Sequence, residues 1–333
     1  MRKKLCAIRS VLVVSIVLIV VLVPSCAPAE PTTIDVEATL DDAPWSGAVQ
    51  YTLTTTGETI DGTSVPTTHD VTPDTWTCTY VSGGPAEGYF IDITPSSTQS
   101  VSRGDTITFH LNFAAYQPLT LTPEEEALHE SSKTGYSPPE IWEGAIAGFE
   151  EEDSVDPPPE DAILFVGSSS IVGWDTEKWF PDLTTINRGF GGSLYTDCVY
   201  YVDRVIIPYE PATIVLYSGD NDIAWGKAPE MILADLKVLL IEIREALPQT
   251  RIIVLPIKPS FSRWEMWPTM QETNDLISNL CETQQETYYA DVAEVMFDET
   301  GDLRDDIFLS DGLHMNETGY ELWTPVVRAF IDL

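Results

Sequence analysis

The sequence predicts a C-terminal α/β domain built on a parallel sheet, preceded by a small all-β sandwich. Two observations predict it. Apolar runs of strand length (AILFVG, TTIN, TIVLYSG, RIIVLPI and TYYADVA) alternate with helical segments after residue 160. Continuous Val/Ile/Leu strands separated by helices indicate a parallel sheet covered on both faces. Residues 32–115 are different, with short period-2 runs (IDVEATL, AVQYTLTTT, TWTCTYV, YFIDITP, TITFHLNF) separated by turns such as VSGGPAEG and SVSRGD. That spacing predicts an antiparallel sandwich of about seven strands.

The first residues read as a targeting segment. Arg2, Lys3, Lys4 and Arg9 form a basic start, and Val11 to Val23 is a run that is apolar except for Ser15. The run suits a secretory h-region and is short for a membrane span. It ends in LVPSC, which resembles the lipobox of bacterial lipoproteins, with Cys26 as the lipidated first residue of the mature chain. The expected organisation is a lipoprotein signal peptide at 1–25, a β-sandwich accessory domain at 26–117, a linker at 118–136 and an α/β domain at 137–333. The expected location is the cell surface after export, anchored to the membrane through Cys26.

The 333 residues carry a formal charge of −36, and the basic segment adds nothing acidic, so the exported part is more acidic still. Such a chain is not expected to bind nucleic acid through its phosphates. Cys78, Cys198 and Cys281 show no metal-ligand spacing and read as small buried apolar residues. In the sandwich, His69 and His110 read as surface or cross-strand residues, and Trp45 and Trp76 as core. The sandwich itself reads as a spacer or a weak binding module.

The junction has two helix signals. Thr122 precedes Glu125 by three positions in LTPEEEALHESSK, a capping-box pattern. PPEIWEGAIAGFEEED reads as a short amphipathic helix with Ile141, Ile146 and Phe149 on one face. The acidic run 150–153 reads as a solvated helix end rather than a metal site. SVDPPPED then stops the helix, because three prolines cannot continue it. In the α/β part the clearest helix is 229–248, apolar at three- and four-residue spacing and closed by Pro248.

In parallel sheets ligands sit beyond the C-terminal ends of the strands. Four such ends carry the chemistry: GSSS (167–170), NRGFGGS (187–193), GDND (219–222) and, before the last helix, DGLH (311–314). Acyl transfer needs an exposed hydroxyl on a tight turn, a base within reach, a carboxylate to orient that base, and donors for the developing oxyanion. Asp311 and His314, three apart, can place a carboxylate on the imidazole Nδ1–H. Asn221 supplies a neutral amide donor. A glycine-rich loop lets a backbone N–H approach a ligand closely.

These four ordered blocks resemble the SGNH/GDSL hydrolase superfamily over about residues 137–333. The resemblance implies a flavodoxin-like three-layer α/β/α fold. It implies Ser169 as the nucleophile, His314 as the base and Asp311 as its orienting carboxylate. The oxyanion hole is then Ser169, Gly192 and Asn221, with Gly191 an alternative to Gly192. Ser168 replaces the aspartate of the name-giving block, as in GSSS-type members, and Ser168 and Ser170 read as turn residues with locally bonded hydroxyls. The expected activity is ester hydrolysis through an acyl-enzyme, on short acyl or acetyl groups of a small molecule or an acylated extracellular glycan. That chemistry needs no metal or organic cofactor. FSRWEMWPTM (261–270) is expected to edge the pocket, with Trp264 and Trp267 either binding substrate or packing in the core. Arg188 and Arg263 are read as salt-bridged rather than as holders of an anionic substrate. The competing reading is a surface binding lipoprotein whose hydrolase-like half does not turn over.

Overall fold

The computed structural model describes residues 31–136 and 138–333. The targeting segment and Cys26 lie outside the described residues. The chain divides into two compact units. One holds Pro44–Gly83 and Ile93–Leu111 with the strand residues up to Thr39. The other holds Leu40–Ala43, Gly84–Asp92 and Asn112–Leu333.

The N-terminal region is rich in antiparallel strands. Its strands are β1 (Thr33–Leu40), β2 (Ala43–Trp45), β3 (Gly47–Thr54), β4 (Thr59–Val65), β5 (Thr67–Asp70), β6 (Asp74–Gly83), β7 (Gly88–Thr94), β8 (Thr98–Val101) and β9 (Thr106–Ala115). They form one sheet in the order β4-β3-β6-β8 and another in the order β2-β1-β9-β7, with β5 on β1. Strand β5 is antiparallel to β1, and β4, β6 and β8 are joined in antiparallel pairs through β3 and β6. Among the described residues of this region nine strands stand where the patterning predicted about seven, and β2, β5 and β8 are only three or four residues long. So short a strand cannot display an alternation. Along β3 the period is plain: Val49, Tyr51 and Leu53 are buried, and Gln50 between them is exposed. Trp76 is fully buried and donates its indole N–H to the Thr72 carbonyl. His69 is a cross-strand residue whose Nε2 lies 2.8 Å from Tyr51 Oη.

The second unit carries a five-stranded parallel sheet of β10 (Ile163–Gly167), β11 (Thr185–Gly189), β12 (Thr213–Tyr217), β13 (Arg251–Val254) and β14 (Thr287–Tyr289), in the order β11-β10-β12-β13-β14. Its long helices are α1 (Pro123–Ser132), α2 (Glu143–Val155), α3 (Pro229–Ala246), α4 (Trp267–Glu282) and α5 (Glu317–Ile331). The period-2 geometry of a strand sends alternate residues to opposite faces, and both faces here are apolar. Leu164, Val166, Ile214, Leu216, Ile252 and Val254 pack with Ile146 of α2, Ile232, Leu236 and Leu239 of α3, and Ile277 of α4. Ile163, Phe165, Val215, Tyr217 and Ile253 pack with Tyr320, Trp323 and Val327 of α5. Helices therefore cover both faces of the sheet, a three-layer α/β/α domain. β13 stops at Val254, although Leu255 still donates to the Leu216 carbonyl. Pro256 follows and has no N–H to extend the ladder.

The helix signals hold with two corrections. Thr122 accepts from the Glu125 amide, and Glu125 accepts from the Thr122 amide, closing the capping box. The segment 139–155 begins as a 3-10 turn over Pro139–Trp142, which takes Ile141 off the α2 face and leaves it exposed. Ile146 is buried as expected, and Phe149 packs against the same cluster. The acidic run ends the helix in solvent as expected, with Glu150, Glu151 and Glu152 exposed, Glu150 paired with Arg204 and Asp153 with Arg188. Residues 118–136, expected as a linker, contain α1, whose His129 and Ser132 both hydrogen-bond to the buried Asp235 of α3. Cys78, Cys198 and Cys281 are free and buried. Among the described residues no helix is long and apolar enough to cross a membrane.

Candidate active site

β10 ends in Gly167, which has φ +135°, a region that L side chains rarely adopt. A Cβ there would sit 1.8 Å from the Tyr217 carbonyl oxygen on the neighbouring strand. Only glycine lets the chain leave the strand this tightly, and the next residues start the short helix Ser169–Val172. Gly167→Ala is therefore expected to cost more than about 3 kcal/mol through positive φ and a backbone clash at once. Loss of soluble protein, or a drop in urea midpoint, would show it; a midpoint matching wild type would refute this account of the turn.

The turn presents Ser169. Its Oγ lies 3.1 Å from His314 Nε2. On the other side of the imidazole, Nδ1 lies 2.7 Å from Asp311 Oδ2. Asp311 Oδ1 accepts from the amides of Leu313 (2.9 Å) and His314 (3.0 Å), so the carboxylate closes its own loop before it holds the ring. The hydrogen bond from His314 and those two amides keep the Asp311 carboxyl well below the usual carboxylate range. A carboxylate on Nδ1 selects the tautomer that leaves Nε2 as the acceptor facing the hydroxyl. The His314 and Asp311 side chains are 39% and 47% exposed, so this pair stands at an open surface.

The glycine-rich loop after β11 reaches the same place. A Cβ on Gly191 would lie 3.5 Å from Ser169 Cβ. Gly192 has φ +89°, and a Cβ there would stand 3.0 Å from the Trp142 ring. Asn221, one residue into the short helix after β12, donates from Nδ2 to the Ser193 carbonyl at 3.1 Å, which ties it to this loop. The structure thus brings Ser169, His314 and Asp311 into one hydrogen-bonded line, and sets Asn221 against the loop that holds Gly191 and Gly192. Ser168 departs from expectation. Its hydroxyl is buried without a hydrogen-bond partner among the described residues, and although Ser168 holds the N-cap position its side chain makes no capping hydrogen bond.

Two cations near the site carry more than the sequence revealed. Arg263 is salt-bridged as expected, with Nη1 3.0 Å from Asp220 Oδ2, but it also donates from Nη2 to Asn221 Oδ1 at 3.0 Å. Lys258 is buried and donates to the Leu313 carbonyl at 2.7 Å, just before His314. Burial pushes its ammonium down to about 8, against the pull of Asp220 and Asp311. The only trace of Lys258 in the sequence is a lysine directly after an apolar strand. Arg188 pairs with Asp153 and Glu152, and its Nε donates to Tyr209 Oη at 2.7 Å, so its charge is already met.

The segment Phe261–Met266 borders the site through its backbone, as the Ser262 amide donates to the Gly312 carbonyl at 3.0 Å. Phe261, Trp264 and Leu309 all show exposed faces. Trp264 lies nearly parallel to Trp267, with ring centroids 6.4 Å apart. The two open readings divide: Trp267 packs against the core, and Trp264 stays half in solvent.

Residues 168–322 match the GDSL-like Lipase/Acylhydrolase family. The platelet-activating factor acetylhydrolase IB subunit alpha1 of Bos taurus is 27% identical over 192 residues, covering 54% of this chain and 77% of that protein. Its Homo sapiens counterpart is 24% identical over 188 residues, covering 54% and 78%. A solved structure from Streptococcus pneumonia, described as a platelet activating factor, shares the fold with a TM-score of 0.51 at 22% identity, over 57% of this chain and 92% of that one. With its parallel sheet flanked by helices, the C-terminal part of this chain is a domain of the GDSL-like lipase/acylhydrolase (SGNH) family.

Proposed function

We propose that the protein is a serine esterase that removes short acyl groups, acetyl above all, from hydroxyls of an extracellular carbohydrate. The observation that carries this reading is the unbroken line from Ser169 Oγ through both nitrogens of His314 to Asp311. In the first step Ser169 Oγ attacks the ester carbonyl while His314 Nε2 takes its proton. The oxyanion of the tetrahedral intermediate is held by the amides of Ser169 and Gly192 and by Asn221 Nδ2. Collapse breaks the carbonyl–alkoxy bond, and His314 returns the proton to the leaving alcohol. Water then attacks the acyl-enzyme by the same route and frees the acid and Ser169.

Three features support the substrate class. The curated relatives are named acetylhydrolases, which favours a small acyl group. The exposed face of Trp264, one residue from Arg263, offers a flat apolar surface of the kind that covers the C–H face of a sugar ring. The strongly acidic chain disfavours anionic polymers and phosphate-rich partners such as nucleic acid. The LVPSC segment supports an exported protein held at the membrane by lipid on Cys26, with the all-β region as a spacer or weak binding module.

Hydrolysis of p-nitrophenyl esters of rising chain length tests the reading, beside labelling by a fluorophosphonate. Acetate is expected to turn over fastest, with activity falling steeply by octanoate, and acetylated glycans are expected to release acetate. A chain that neither turns over these esters nor labels would be a binding protein on a hydrolase fold.

A further inference from the structure

We infer that Arg263 is a positioning residue that sets the direction of the Asn221 amide, and through it the strength of the oxyanion hole. The inference rests on the esterase reading above and deepens it by one residue. A side-chain amide has an acceptor end and a donor end of nearly equal shape, so only its partners decide which way it faces. Asn221 is held at both ends. Its Oδ1 accepts from Arg263 Nη2 at 3.0 Å, and its Nδ2 donates to the Ser193 carbonyl at 3.1 Å. Flipping the amide would set Nδ2–H against a guanidinium N–H and Oδ1 against a carbonyl oxygen, two repulsions in place of two hydrogen bonds. The observed direction leaves one Nδ2–H uncommitted by these contacts, which is what a developing oxyanion requires.

The charge of Arg263 adds a second effect. A cation on the amide oxygen draws electron density from the nitrogen and makes its remaining N–H a stronger donor. The guanidinium is itself fixed, since Nη1 lies 3.0 Å from Asp220 Oδ2 and the Asp220 side chain is 4% exposed. One planar fork thus spans two consecutive residues, Asp220 and Asn221. A lysine ammonium is a single point and cannot reproduce that bridge. The preceding residue, Ser262, is bonded to Gly312 in the loop that carries Asp311 and His314. One short segment therefore ties the oxyanion side of the site to the base side.

The test is a double-mutant cycle in the full chain with p-nitrophenyl acetate, following kcat, KM and the rate of fluorophosphonate labelling. Arg263→Ala is expected to lower kcat about 10- to 100-fold with KM within about twofold, less than the roughly 10²- to 10³-fold expected for Asn221→Ala. In the Asn221→Ala background the same change should have no further effect, since the group it positions is gone. Millimolar guanidinium should restore several-fold of the lost rate to Arg263→Ala and none to the double variant. If Arg263→Ala does not fold, Arg263→Lys serves, with the same expected kcat loss and the same non-additivity. Losses that multiply across the cycle, or that fall wholly on KM, would overturn the inference while leaving the esterase reading intact. A wild-type chain that neither labels nor turns over would overturn both.

Discussion

Replacing Ser169 by alanine is expected to lower ester turnover by a factor on the order of 10⁴–10⁶ and to abolish fluorophosphonate labelling. The magnitude follows from how the site divides its work. Without the hydroxyl no acyl-enzyme can form, and what remains is binding plus oxyanion stabilisation of attack by water. Asp311 is bonded to two amides of its own loop and to His314, so imidazole and carboxylate stay in place when the serine is cut back. His314→Ala should fall by a similar factor, and the double variant should fall little further, because the two groups act in one proton transfer. Stability should barely change. The half-buried Ser169 loses a single side-chain hydrogen bond, worth about 1 kcal/mol or less at an open site. Equal kcat in wild type and Ser169→Ala would remove Ser169 from the mechanism, whatever the fold.

The parallel sheet was legible because its strands are buried on both faces and so carry unbroken apolar runs. Its C-terminal edge was legible for a different reason. Gly167, Ser169 and Asn221 are types common at strand ends, so each alone says little, and what marked the site is four blocks in the right order. The last block, expected at a strand end, carries Asp311 and His314 and stands among the described residues in the loop before α5. What stayed hidden lies where one residue serves two partners far away in sequence. Arg263 reads as a surface cation until the chain places it against Asp220 and Asn221 together. Ile141 reads as one stripe of a helix, but the chain enters that helix through a 3-10 turn over Pro139–Trp142, which leaves Ile141 exposed. His129 and Ser132 fell in a stretch read as a linker because their partner, Asp235, is more than a hundred residues away. The short strands β2, β5 and β8 are set by their neighbours rather than by any alternation of their own.

Lys227→Met is expected to lower the unfolding free energy by about 3–5 kcal/mol near neutral pH, the usual cost of leaving a buried charge without its partner. The side chains of Lys227, Asp222 and Asp235 have no exposure at all, and the ammonium lies 2.9 Å from an oxygen of each carboxylate. His129 Nδ1 stands 2.7 Å from the other oxygen of Asp235, and the Tyr195 amide donates to Asp222. A methionine fills similar volume but leaves two carboxylates in the core with one fewer cation. Burial already pushes Asp222 up to about 6, against the opposing pull of Lys227. Removing that pull raises it further. A carboxyl whose folded pKa lies above its unfolded value gives stability that is present at low pH and lost as pH rises through the folded pKa. The deficit of the variant should therefore be largest at about pH 8 and shrink as pH falls from there toward about 6, as Asp222 of the variant takes up a proton and no longer needs the ammonium, with no further change below the wild-type value of about 6. Urea midpoints at about pH 8 and pH 5 test this. A deficit equal at both values would mean that lost packing, not unpaired charge, sets the cost. Because Asp222 directly follows Asn221, the same variant should also turn over acetate more slowly at about pH 8 than at about pH 6, relative to wild type at each pH, as an unpaired Asp222 disturbs the short helix that carries the oxyanion amide.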